Sequence, residues 1–258
     1  MKMAFDDNMK IDRGSWRRLM GVSENHMKRA ESDEKMRAAL ERLEIQMDEA
    51  ESLLYDAADP AFTYKMLDAG QLTVRGASLA KHLDGCDRMV VMAVTLGHEV
   101  DRLISETQSS RIALGVVIDS GASVMAERAA NMAEEQIRAE LAEAQTRTKR
   151  TADAAADAAD ADSAGNQTAP LYMTSRFSPG YGDSPLEMQE QVLDLLDAEN
   201  QLGITLSKGY MMSPSKSITA IIGLADHPVT GRLATCDECV LKDKCQLRKE
   251  GKLCGQRK

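Results

Sequence analysis

Two short stretches hold residue types that can do chemistry. The first is residues 176–181: Arg176, Phe177, Ser178, Pro179, Gly180 and Tyr181. A guanidinium offers a planar fork that suits a carboxylate. Pro179 stiffens the turn, and Gly180 lets a ligand approach the backbone without a clashing side chain. The ring of Tyr181 can face a cation. The same residues also fit a plain Pro-Gly turn, with Arg176 pairing a surface carboxylate and Tyr181 packing on the core. Spacing alone favours that plainer reading.

The second stretch is Cys236, Cys239, Cys245 and Cys254, spaced C-x2-C-x5-C-x8-C. Four thiolates suffice for tetrahedral zinc or for an iron–sulfur cluster. The spacing matches neither a zinc ribbon, which has two CxxC pairs, nor a bacterial ferredoxin run. Residues 229–258 carry eight Lys or Arg against four Asp or Glu, and positive charge favours the thiolate form. A flexible tail of reduced cysteines is the alternative. Cys86 stands apart in HLDGCDRMVVMAV and reads as a small buried hydrophobe.

These residues must be positioned by the elements around them. Residues 32–57 read as an amphipathic helix, with Met36, Leu40, Leu43, Met47, Leu53 and Leu54 near helical spacing, Ser32 as N-cap, and Asp59 and Pro60 ending it. Strands are expected at LTVRG (72–76) and at the apolar run 89–96, with a short helical turn, SLAKHL, between them. A long helix is expected over about 111–145 and is able to run on into the Ala-rich segment 146–169, which has little to bury. LYMTSRF reads as a strand feeding the turn SPGYGD. A helix over 185–202 follows, with Asp183 or Ser184 as its cap, Pro185 in its first turn and Gly203 ending it. ITLSKGYMM and KSITAIIGL read as strands separated by Ser213, Pro214 and Ser215. The expected fold is α+β: a twisted, mainly antiparallel sheet flanked by helices, with a helical N-terminal region and a small Cys-rich C-terminal tail. The expected divisions are 1–66, 67–228 (with the insert 146–169) and 229–258.

Residues 176–228 also carry a resemblance. Arg176 to Tyr181 follow an Arg-x-x-x-Gly-Tyr pattern, trailed by Pro185, the pair Leu195 and Leu196, the run Leu202 to Ser207, the turn Met212-Ser213-Pro214, the run Ser217 to Ala220, and His227 with Pro228. This ordered series resembles the reactivation domain of cobalamin-dependent methionine synthase. The helix from Ala126 and Glu127 to Ile137 and Arg138 is similar to the Ala-Glu-rich helix that precedes the family's turn. TVRGASLAKHLDGCDRMVVMAVTLG resembles the shorter, separately encoded relatives of that domain.

The resemblance implies a domain that binds S-adenosylmethionine and docks over a corrinoid module. There it supports reductive methylation of cob(II)alamin carried by a partner methionine synthase or related corrinoid protein, with an electron donor. It implies Arg176, Ser178, Pro179, Gly180 and Tyr181 as the ligand-binding turn, with Tyr181 nearest the chemistry. Glu127 is then either a partner for the ligand's amine or ribose hydroxyls, or a solvated helix carboxylate. The chain departs from the fused family in lacking a Tyr shortly after His227 and Pro228, and a matching acidic residue near the start of the domain. Those departures imply weaker ligand binding or its loss. Two other functions therefore stay open: a non-catalytic docking or chaperone module for another corrinoid methyltransferase, and a metal or redox sensor acting through the cysteine tail.

Composition narrows the classes further. The 258 residues carry 32 Lys or Arg against 41 Asp or Glu, a net charge of −9, so nothing global attracts phosphate. Aromatic residues are 3%, too few for stacking platforms on single-stranded nucleic acid. No apolar run approaches the roughly 18 residues of a membrane span, and MKMAFDDNMK lacks the apolar stretch of a secretory signal. The expectation is a cytoplasmic protein with no nucleic-acid or membrane partner. Tyr210, Lys216 and Ser217 are second-rank site candidates, more plausibly strand-end residues.

Overall fold

Side-chain caps fix where the first three helices begin. In the computed structural model, residues 1–3, 9–156 and 171–229 are described. Helices α1 (Arg13–Leu19), α2 (Glu24–Ala30) and α3 (Glu34–Ala57) open the chain. The carboxylate of Asp12 accepts from Ser15 N, and Ser23 and His26 form a reciprocal capping box. Asp33, not Ser32, caps α3: its carboxylate accepts from Lys35 N and Met36 N. A carboxylate next to the first turn complements the helix dipole better than a hydroxyl one residue further out.

Strand β1 (Ala61–Asp68) follows and buries Phe62 and Leu67. It was not anticipated, and the strand expected at 72–76 is absent. That stretch lies between Gly70 and Gly76, both at φ 94°, so the chain turns twice and has no room for a strand. Helix α4 (Ala77–His82) and the buried strand β2 (Arg88–Thr95) match expectation. Helix α5 (His98–Ser110) was also not anticipated; its polar sequence buries only Val100 and Ile104, a stripe too short to read. Helix α6 runs Ile112–Ala156, so the Ala-rich stretch does prolong it.

After β3 (Tyr172–Met173) the expected helix over 185–202 is two helices, α7 (Met188–Leu196) and α8 (Ala198–Leu202). Asp197 sits at φ 49° and breaks the helix between the buried Leu196 and Ala198. Gly203 ends α8 in the left-handed region, as anticipated. ITLSKGYMM is a tight reversal instead of a strand: β4 (Thr205–Leu206) pairs antiparallel with β5 (Met212–Ser213), and Ser207 N bonds Met211 O at 2.9 Å. Strand β6 (Ser217–Ala225) is almost wholly buried.

The fold is α+β with a mainly antiparallel sheet flanked by helices. The sheet runs β1-β2-β6-β3, and β3 pairs antiparallel with β6, Tyr172 opposite Ala225 and Met173 opposite Leu224. The described residues fall into two compact units. One holds Met1–Thr63, Ala93–Glu134 and Asp197–Ile218; the other holds the described parts of 64–92, 135–196 and 219–229.

In the first unit, Trp16 on α1 is fully buried, and its Nε1 donates to Val117 O (3.1 Å) and Ser120 Oγ (3.0 Å) of α6. Arg17 grips Glu44 of α3 with two bonds, at 2.7 and 2.8 Å, and Arg13 reaches Asp48 and Glu51. An apolar anchor and paired charges thus hold α1 to two helices. Among the described residues, no helix is long and apolar enough to cross a membrane.

Candidate functional site

The 176–181 turn belongs to the second unit, and its backbone is tied to β6. Phe177 and Ile221 exchange two hydrogen bonds, N to O at 2.9 Å and O from N at 2.8 Å. The hydroxyl of Ser178 donates to Thr219 O at 2.6 Å. Within the turn, Tyr181 N donates to Ser178 O, Ser184 N to Tyr181 O, and Gly180 N to Ser184 O at 3.1 Å. These bonds place each group definitely: Phe177 and Pro179 are buried, Arg176 is half-buried, and Gly180 and Tyr181 are exposed. Tyr181 is 66% exposed to solvent.

Gly180 has φ 91°, and a Cβ there would lie 3.1 Å from the Leu186 side chain. Glycine is therefore favoured by conformation, while the contact with Leu186 is one that a small side-chain movement can relieve. Behind the turn, Thr219 donates to Gln189 of α7 at 2.5 Å, so the strand that receives Ser178 is itself fixed to a helix.

Asp183 or Ser184 was expected to cap the helix that follows. Instead the Asp183 carboxylate accepts from Ala77 N (2.7 Å) and Ser78 N (2.8 Å), capping α4 from the far side of the sequence. Those amides hold its carboxyl below the ordinary carboxylate range, the backbone N–H of Ser78 contributing most. The contact is close: a Cβ on Gly76 would come within 2.8 Å of Asp183 O. The sequence places a cap at Asp183 or Ser184, but on the following helix; the helix actually capped is not legible in it, because the two partners are far apart in the chain.

A second small network braces the strand leading into Arg176. Thr174 Oγ1 accepts from Gly223 N at 2.8 Å and lies 2.9 Å from His82 Nε2. His82 Nε2 is also 2.8 Å from Ser175 O, a contact in which the ring nitrogen must donate. The His82 ring meets Phe177 at 5.2 Å between centroids. Neither His82 nor Thr174 was singled out from sequence.

The other candidates fall elsewhere. Glu127 is exposed on α6 and belongs to the first unit. Lys216 pairs with Asp119 and bonds Ser123 Oγ, both at 2.9 Å, and Ser217 donates to Thr95 Oγ1. Tyr210 occupies the β4–β5 reversal at φ 60°. All three have structural work in the first unit. The tail cysteines Cys236, Cys239, Cys245 and Cys254 lie outside the described residues.

Residues 78–229 match the family model described as vitamin B12 dependent methionine synthase, activation domain. The match spans more than half the chain and takes in the whole turn. This chain belongs to that family. Among curated proteins, none matches it in sequence. Among solved structures, the crystal structure of the MetH reactivation domain bound to AdoHcy is similar, with a TM-score of 0.58 at 15% sequence identity. That likeness covers 98% of this chain and 85% of the other; at such identity it concerns the fold. In this activation-domain chain, the family match begins inside α4 and ends just after His227 and Pro228, so the Asp183 contact to Ser78 lies within it.

Proposed function

We propose that the chain acts as a reactivation subunit in trans. It binds S-adenosylmethionine at the 176–181 turn and supports reductive methylation of cob(II)alamin carried by a partner methionine synthase. The observation that carries this reading is the turn itself: fixed at Phe177, Ser178 and Asp183, yet open at Gly180 and Tyr181, within the residues matched to the activation-domain family. The fold neighbour was crystallised with AdoHcy, which supports the same ligand class here.

The donor set fits such a ligand. S-adenosylmethionine supplies a methyl group on a positively charged sulfur. Arg176 takes the carboxylate with its planar fork, and the exposed face of Tyr181 lies against the cationic end. Gly180 leaves the backbone accessible. The Ser178 hydroxyl already donates its hydrogen bond to Thr219 O, so it holds the turn in shape. Pre-set geometry of this kind is what positions a reacting methyl group without reorganisation at the moment of transfer.

The test is methyl transfer in trans. The probe is a cob(II)alamin-loaded methionine synthase fragment lacking its own activation domain, with S-adenosylmethionine and titanium(III) citrate. Adding this chain should make methylcobalamin appear faster, and Arg176→Ala should remove most of the gain. If wild-type chain and buffer give the same rate, the reading is wrong. A docking module for another corrinoid methyltransferase is the second reading, favoured by the absence of a Tyr in VTGRLATC after His227 and Pro228. It predicts binding to the corrinoid protein that is indifferent to Arg176→Ala.

A further inference from the structure

The segment that leads into the turn carries one residue more than its partner strand. Met173 stands opposite Leu224 and Phe177 opposite Ile221, so this segment advances four residues while β6 advances three. In an unbroken register Arg176 would stand opposite Ile221; Phe177 takes that place instead and is buried. The extra residue makes a β-bulge at Ser175 and Arg176, and it exchanges the faces of the side chains beyond it.

The ladder changes character one step earlier. Thr174 N donates to Gly223 O at 3.0 Å, but Gly223 N donates to the Thr174 hydroxyl, at 2.8 Å. Gly223 leaves room for that side chain, since a Cβ there would come within 3.1 Å of Thr174 Cγ2. The bulged carbonyl, Ser175 O, is held from a different element: His82 Nε2 of α4 lies 2.8 Å from it, and Thr174 Oγ1 donates to it at 3.0 Å. A carbonyl only accepts, so Nε2 carries a proton. His82 is 3% exposed, and its ring centroid lies 5.2 Å from that of Phe177.

We propose that His82 is a positioning residue: it holds the bulge at Ser175 and Arg176, and the bulge aims Arg176 at the carboxylate of S-adenosylmethionine. This rests on the reactivation reading and adds to it the device that sets its arginine. Bulges re-aim side chains beside binding sites. A buried donor on a separate helix keeps this one from sliding back into register. An arginine fork takes a carboxylate only when the two planes align, so losing the brace costs affinity although His82 acts only through Arg176.

Two measurements test it. In wild type with isotope-labelled histidine, long-range proton–nitrogen correlation should find the His82 proton on Nε2, the signal being assigned by its loss in His82→Gln. A ring protonated on Nδ1 alone would overturn the proposal, with or without ligand. The second is titration of S-adenosylmethionine with the cob(II)alamin-loaded methionine synthase fragment present. His82→Leu should bind roughly tenfold more weakly than wild type. His82→Gln, which can return an N–H to the place of Nε2, should recover most of that loss. In the Arg176→Ala background, His82→Leu should change affinity by less than about twofold; a full tenfold loss there contradicts action through Arg176. Leu79→Val, at another buried residue of α4, controls for lost stability and should bind within about twofold of wild type. Wild-type affinity in His82→Leu, or an equal loss in Leu79→Val, overturns this proposal and leaves the reactivation reading standing. No binding by wild type sinks both. If His82→Leu fails to fold, the wild-type spectrum and the affinity of His82→Gln still decide.

Discussion

Asp183 shows how one carboxylate holds two segments together. With its folded pKa lowered by the α4 amides, it stabilises the native state while ionised. That contribution is complete above the ordinary aspartate range and fades as pH falls through the lowered folded value, so the loss is confined to pH below about 4. Thermal melting between pH 5 and 2.5 should therefore fall more steeply for wild type than for Asp183→Asn; parallel curves would show that the link contributes nothing. Ser178 is a simpler case. Ser178→Ala removes its bond to Thr219 O and should cost about 0.5–1.5 kcal/mol in urea denaturation, while weakening ligand binding less than Arg176→Ala does. Gly76→Ala meets Asp183 O within 2.8 Å at φ 94°, which cannot be relieved by a side-chain movement. A loss of about 1–3 kcal/mol is expected, accompanied by weaker ligand binding because the turn loses its anchor.

Among the elements, α1 buries a single residue, Trp16. Trp16 fills the space beside Gly121, where a Cβ would lie 2.4 Å from the ring. Gly121→Ala should therefore destabilise the chain by about 1–3 kcal/mol through overpacking. Trp16 is also the only tryptophan, so its fluorescence follows the first unit directly; an unchanged emission midpoint in that variant would contradict the packing described. This part of the fold was only half legible. The helix α3 could be read, though of its six expected apolar positions only Met47 and Leu54 are buried; so could the apolar runs of β2 and β6, and α6 to about residue 145, with the Ala-rich stretch able to prolong it. The strand β1, the helix α5 and the break at Asp197 could not, because each rests on tertiary burial that overrides a weak local pattern. The candidate turn was read residue by residue, yet its supports were not. His82, Thr174, Gln189 and the Asp183 link to α4 come from segments distant in the chain, and nothing in their own surroundings marks them.

For the whole molecule, membership in the activation-domain family is shown over residues 78–229, whereas the fold by itself could carry many functions. The account then rests on whether the 176–181 turn takes S-adenosylmethionine. Isothermal titration of S-adenosylmethionine into wild-type chain and Arg176→Ala, with a corrinoid partner present, tests that claim most directly. Loss of a charged, two-pronged contact is worth roughly 1.5–3 kcal/mol, so the account predicts saturable wild-type binding and an affinity about 10- to 100-fold weaker in the variant. Equal affinities in the two proteins, or no binding by wild type, would contradict it.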